Sequence, residues 1–194
     1  MPELSVIICT YNRCEYLPPL FESLEGQTLS RNRFELIIID NNSSDKTASM
    51  SREFLLKNPG LNGKYIFEEK PGLSHARNRG ILESAGDILV FIDDDAQASP
   101  AYLENIVNYF DNHHDVQAGG GKILPLYESR EPGWMTPFLL PVVSALDLGE
   151  KIRPFPGRKY PIGANMFFRK EVFDRIGLFN VDLGRKGKNF LGGE

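Results

Sequence analysis

Apolar residues along this chain gather into short solid runs, and each run breaks abruptly into a polar cluster. Leu4 to Cys9, Phe34 to Ile39 and Ile88 to Ile92 are the clearest. Runs of this kind predict strands buried on both faces, the usual state of central parallel strands. Between them the period lengthens. Leu17, Leu20, Phe21 and Leu24 share one helical face, with Pro18 and Pro19 suited to its first turn. A second helix is predicted over Lys46 to Lys57, capped by Asp45 and ended by Asn58-Pro59-Gly60. Tyr65 to Phe67 reads as a short edge strand. Lys70 to Leu73 reads as a turn in which Gly72 needs a positive φ, and Ser74 to Ala85 as a helix that packs closely through Ala76, Gly80, Ile81 and Ala85. Further helices are expected over Pro100 to Phe110 and up to Ile176, and further strands over Val116 to Leu124 and Pro161 to Phe168. The alternation predicts an α/β fold, a doubly wound and mostly parallel sheet flanked by helices. Residues 128–159 are rich in proline with little period and read as long active-site loops or an acceptor-facing insertion, and the glycine-rich stretch from Gly177 to Glu194 as a loop on the ligand side.

The polar ends of the strands carry the candidate chemistry. The run Ile88 to Ile92 stops in Asp93-Asp94-Asp95, at the strand edge where open α/β sheets bind ligands. Three adjacent carboxylates need solvent or a cation to offset them, and Mg2+ or Mn2+ bridging to a phosphate oxygen would do so. Taken alone, the triad reads as readily as a solvated turn before the helix that Ser99-Pro100 opens. Thr10-Tyr11-Asn12 and Asp40-Asn41-Asn42 end the first and second strands. Together these clusters offer an aromatic ring, amides and carboxylates suited to a base and ribose, with acids to hold a metal across a diphosphate. Neither G-x-G-x-x-G after the first strand nor G-x-x-x-x-G-K-[ST] occurs, which removes the dinucleotide oxidoreductase and phosphate-loop NTPase readings.

Composition narrows the picture further. The 194 residues suffice for one domain. With 22 basic against 26 acidic residues and no basic stripe, no nucleic-acid partner is expected. No apolar run reaches membrane-spanning length, and the start of the chain does not read as a signal peptide. Cys9 reads as a buried strand residue and Cys14 as a loop position, which suits a reducing cytoplasm.

In order along the chain, Ser5 to Arg13, Ile39 to Asp45, Lys70 to Gly80, Gly86 to Asp95, and Gly163 to Met166 continuing through Arg169 to Gly192-Gly193-Glu194 resemble the motifs of family 2 glycosyltransferases. The resemblance covers nearly the whole chain and implies the GT-A fold, with a Rossmann-like sheet. One domain over 1–194 follows, with 1–124 as its nucleotide-sugar part and 125–194 as its acceptor side. By the same resemblance the activity is transfer of a sugar, with inversion, from a nucleotide-sugar to a saccharide or lipid-linked acceptor in polysaccharide biosynthesis. A UDP-sugar is the expected donor, with dTDP- and GDP-sugars as alternatives because Asn41 stands where many members carry a base-contacting Asp. Thr10, Tyr11, Asn12, Asp40 and Asn41 map to the base side, Arg77 to phosphate and Asp94 to the ribose. Asp93 and Asp95 map to the outer acids of D-x-D, with Asp95 the main ligand of Mn2+ or Mg2+. Asn165 and Glu194 map to the acceptor side. His75 reads equally as a phosphate partner or a surface residue, and Trp134 as core filling before sugar stacking.

The family's usual base is an Asp after the G-G-E stretch, and this sequence stops at Glu194. The expectation is a chain that keeps the nucleotide site with little or no transferase activity, and an active longer parent. The resemblance implies a cytoplasmic protein, with peripheral association of the full-length form at the inner face of the membrane. Two other functions would use part of the same residues. One is a nucleotide-sugar- or carbohydrate-binding domain without catalysis. The other is a nucleotidyltransferase, which would be expected to carry a basic glycine-rich loop where Thr10-Tyr11-Asn12-Arg13 stands.

Overall fold

A computed structural model describes residues 1–157, 160–186 and 189–191. Glu194 and the two glycines before it lie outside the described residues. In chain order the elements are β1 (Leu4–Thr10), α1 (Leu17–Glu25), β2 (Phe34–Asp40), α2 (Thr47–Lys57), β3 (Gly63–Phe67), α3 (Leu73–Glu83), β4 (Ile88–Asp93), α4 (Tyr102–Asn112), β5 (Ala118–Gly120), β6 (Asn165–Arg169), α5 (Glu171–Ile176), β7 (Gly184–Lys186) and β8 (Asn189–Leu191). The main sheet runs β3-β2-β1-β4-β6-β5. Strands β1 to β4 are mutually parallel, and β6 runs antiparallel to both of its neighbours.

The solid apolar runs bury both faces, as expected of central strands. On one face Leu4, Val6 and Ile8 of β1, Leu36 and Ile38 of β2 and Val90 of β4 pack under α1 and α4, with Phe54 of α2 stacked on Phe21 at 4.2 Å. On the other, Ile7, Ile37, Leu89 and Phe91 pack with Ala76 and Ile81 of α3 and Phe173 of α5. The buried face of α1 is Leu17, Leu20, Phe21 and Leu24, as its spacing predicts. Gly72 has φ 131°, the positive value expected of the turn before α3.

Several expectations need correction. The strand predicted over Val116 to Leu124 shrinks to three residues, and Ile123 pairs instead with Leu146. The strand predicted from Pro161 starts at Asn165, because a turn closed by Asn165 N donating to the Ile162 carbonyl at 2.9 Å comes first. The glycine-rich tail holds an antiparallel β7–β8 ribbon where a loop was expected. Helix α3 ends at Glu83, leaving Ala85 exposed, and Cys9 is only half-buried. Arg169 of β6 donates to the carbonyls of Phe110, His113 and Val116, satisfying the C-terminal end of α4 and fixing that helix to the sheet.

A buried polar knot ties the amino edge of the sheet, opposite the predicted ligand edge. Glu35 Oε1 accepts from Ser5 Oγ at 2.6 Å and from Ala85 N at 2.5 Å, and Glu35 Oε2 lies 2.8 Å from Lys64 Nζ. Ser5 Oγ in turn accepts from Gly86 N at 2.9 Å. One carboxylate thus joins β1, β2, β3 and the turn into β4. Against the cost of burial, the bonds from Lys64, Ser5 and Ala85 hold its pKa below the usual carboxylate value. Glu35 therefore stabilises the fold above an unfolded-state pKa of about 4.3, and that stability is lost as pH falls through the lower folded value. Glu35→Ala is expected to cost about 2 kcal/mol at pH 7, because it strands the Ser5 hydroxyl and the Ala85 N–H. Urea melts at pH 7 and pH 3.5 check this, and the penalty should shrink at the lower pH.

Candidate nucleotide site at the carboxyl edge of the sheet

The winding from β1 through β2 to β3, then back to β4 on the other side of β1, makes a topological switch point between β1 and β4. Parallel register sets Thr10 beside Asp40 and Cys9 beside Asp93. The three polar clusters singled out from the sequence are thereby brought to one crevice.

The acids at the end of β4 differ in environment. Asp93 is half-buried, Asp94 is 5% exposed, and the Asp95 side chain keeps 45% of its surface in solvent. Burial pushes the Asp94 carboxyl up to about 6, against the pull of the Thr10 hydroxyl and Arg13, with Asp95 and Asp93 adding to the rise. The cation that offsets these acids is Arg13. Its Nη2 donates to Asp95 Oδ2 at 2.5 Å, its Nε lies 3.3 Å from Asp94 Oδ1, and its guanidinium sits 4.5 Å above the Tyr16 ring. Arg13 was not among the sequence candidates. The signal was the charge imbalance of three adjacent carboxylates, but a loop arginine 80 or so positions away reads as solvated until the β1–β4 pairing is known.

Three residues expected on the base side brace the loops around the crevice. Asn12, at φ 51°, accepts at Oδ1 from Ser44 N at 2.7 Å and from Asp45 N at 3.3 Å, and its own N–H donates to Ser43 Oγ. Asp40 accepts from Ser43 N at 2.8 Å and from the Tyr65 hydroxyl at 2.7 Å, and Arg52 lies over the Tyr65 ring. Asn41 uses its whole amide. Its Nδ2 donates to the carbonyls of Glu68 and Lys70, and its Oδ1 accepts from Gly72 N at 2.8 Å. Asp45, expected as a helix cap, accepts from Thr47 N at the start of α2 and from Cys14 N. Against the cost of burial these bonds hold its carboxyl well below the usual range.

Thr10 is buried, while Tyr11 leaves 59% of its surface to solvent. Arg77 is buried on α3, with its guanidinium 5.5 Å from the Phe179 ring centre. It lies against Gly163, where a Cβ would come 2.4 Å from Nη2, so a larger residue there would push the guanidinium aside. Asn165, expected on the acceptor side, accepts from the Tyr102 hydroxyl at 2.7 Å and donates to the Lys122 carbonyl. Trp134 is 68% exposed and fills no core, because the segment around it has no regular element to pack on. Within this irregular segment a cavity of about 190 Å³ is lined by Lys122, Leu148, Lys151, Arg153 and Phe155, among others. Lys122 pairs there with Asp147 at 2.8 Å and Glu150 at 3.3 Å.

Among the described residues, no group of three or more His, Cys, Asp or Glu side chains converges as a metal site. A catalytic Mg2+ or Mn2+ needs only one or two carboxylates, with substrate phosphate and water supplying the rest. Asp95, exposed, and Asp93, at the strand end, are hard oxygen donors that fit such a half-built site.

Residues 5–177 match the model of glycosyl transferase family 2. The chain belongs to this family. It is 28% identical over 192 residues to the glucosyl-dolichyl phosphate glucuronosyltransferase of Haloferax volcanii, covering 95% of this chain and 58% of the relative. It is 31% identical to the dolichol-phosphate mannosyltransferase of Pyrococcus furiosus, covering 91% of this chain and 49% of the relative. The chain thus spans about half the length of these relatives. Its fold is that of S. aureus TarS solved with UDP (TM-score 0.73, 23% identity, 94% of this chain and 51% of that one). It is also that of the mannosyltransferase PcManGT of Pyrobaculum calidifontis solved with GDP-Man and Mn2+ (TM-score 0.70, 24% identity, 94% and 49%). This is the GT-A fold, with its mostly parallel sheet flanked by helices.

The bracing by Asn41 gives a direct test of the loop geometry. Asn41→Asp would set a carboxylate against the carbonyls of Glu68 and Lys70 and is expected to cost about 2 kcal/mol. Thermal unfolding followed by circular dichroism should show a lowered midpoint; an unchanged one would contradict the assignment of Nδ2 to those carbonyls.

Proposed function

We infer that the complete protein transfers a sugar, with inversion, from a nucleoside diphosphate sugar to a saccharide or lipid-linked acceptor. The observation that carries this reading is the meeting of Thr10-Tyr11, Asp40 and Asp93-Asp94-Asp95 at the switch point of a family 2 chain. A UDP-sugar is the proposed donor. TarS has been solved with UDP and with UDP-GlcNAc, and PcManGT with GDP-Man, so a GDP-sugar is the principal competitor. A lipid-linked acceptor is supported by the two dolichyl-phosphate relatives and by exposed apolar side chains at Leu124, Leu126, Phe138, Val142 and Ile152 in the irregular segment. Among the described residues no helix is long and apolar enough to cross a membrane.

In this reading the exposed Tyr11 ring stacks on the base, and Asp40 and Asn41 shape its pocket by fixing the loops around it. Asp94 faces the ribose, and Arg77 lends positive charge on the phosphate side of α3. Asp93 and Asp95 would hold Mn2+ or Mg2+. When bound, the metal supplies positive charge against the departing diphosphate. The acceptor hydroxyl approaches from the face opposite the nucleotide and loses its proton to a carboxylate base. Glu194 is proposed to position the acceptor.

Calorimetric titration with UDP, dTDP and GDP, each with and without Mn2+, tests the reading. One nucleotide should bind in a metal-dependent way. Asp95→Ala should weaken that binding about 10- to 100-fold with the circular dichroism spectrum unchanged. Metal-independent glycan binding with no nucleotide affinity would contradict it.

A further inference from the structure

The guanidinium of Arg13 occupies the place of a metal ion's charge. It donates to Asp95 at 2.5 Å and lies 3.3 Å from Asp94, and its plane is backed by the Tyr16 ring at 4.5 Å. Its position is built from several sides. The loop that carries it is fixed to the β2 loop through Asn12 and Ser43–Asp45, and the Arg13 carbonyl accepts from Tyr16 N at 3.0 Å. The Arg13 side chain nonetheless leaves 41% of its surface to solvent, so the group has room to move away.

A divalent cation held by Asp95 would be in direct contact with a carboxylate oxygen. A guanidinium already bonded to that carboxylate would then lie within a few ångströms of the metal, at a surface dielectric where like charges still repel appreciably. The two cations cannot share Asp95 cheaply. We propose that Arg13 is a resident counter-ion of the acidic cluster, displaced from Asp95 when metal arrives. It keeps the metal affinity of the nucleotide-free protein low, so that metal enters together with the diphosphate, whose negative charge both attracts the metal and offers the guanidinium a new partner. The proposal rests on Asp95 being a metal ligand.

Mn2+ binding to the nucleotide-free protein, followed by loss of the free Mn2+ electron paramagnetic resonance signal, tests it without any activity readout. R13Q should bind Mn2+ about tenfold more tightly than the native protein, whereas R13K, which keeps the charge, should stay close to native. The double variant R13Q/D95N should lose the gain. Unchanged or weaker binding by R13Q overturns the proposal, as does an equal gain in R13K. A gain that survives in R13Q/D95N also overturns it, since the metal would then lie elsewhere. A separate arm with UDP present keeps the underlying reading distinct. There D95N must lose Mn2+ affinity if Asp95 is a ligand, whatever R13Q does. Circular dichroism of each variant verifies that the fold is common to all.

Discussion

Three carboxylates at the end of a buried strand must be neutralised, and much of the carboxyl edge is arranged around that requirement. Asp93 to Asp95 emerge from β4, whose apolar residues are buried on both faces, so the acids are held at a fixed point with little freedom to spread apart. The chain answers in two ways. Asp94 is pulled out of water, which raises the pKa of its carboxyl, and Arg13 reaches from the loop after β1 to Asp95 and to Asp94. An arginine suits this role because its planar fork can engage two carboxylates while its face rests on an aromatic ring.

The arginine can serve only if its loop stays in place, and that explains the density of side-chain hydrogen bonds nearby. Asn12 fastens the β1 loop to the β2 loop, Asp40 is fastened through Tyr65 to the edge strand β3, and Asn41 fastens the turn before α3. The crevice is therefore walled by loops whose own polar groups are largely spent on one another. Tyr11 and Asp95 remain presented to solvent. At the opposite edge Glu35 plays the complementary part, locking three parallel strands from below with a single buried carboxylate.

Much of this was legible in the sequence. Solid apolar runs identify β1, β2 and β4 because burial on both faces leaves no polar positions, and the face of α1 follows from its period. Their abrupt ends locate the crevice. Pairing is a different matter. That β6 enters antiparallel between β4 and β5 depends on contacts between segments over 70 residues apart, such as Phe91 opposite Met166, which no local pattern encodes. The same is true of polar partners. Asn12, Asp40 and Asn41 were read as ligand contacts because amides and carboxylates at strand ends suit a nucleotide, yet those groups suit neighbouring backbone N–H and C=O equally well. Glu35 sits within a strand pattern as a single acid, and its partner Lys64 reads as an ordinary surface lysine until the β2–β3 register brings the two together.

The central claim is that the crevice between β1 and β4 is where a nucleoside diphosphate binds. Hydrogen–deuterium exchange measured with and without UDP and Mg2+ addresses it directly. The account predicts slowed exchange in residues 10–13, 40–43, 74–78 and 93–96, with little change near the cavity in 120–155. Protection confined to that cavity, or to neither region while UDP is demonstrably bound, would contradict it.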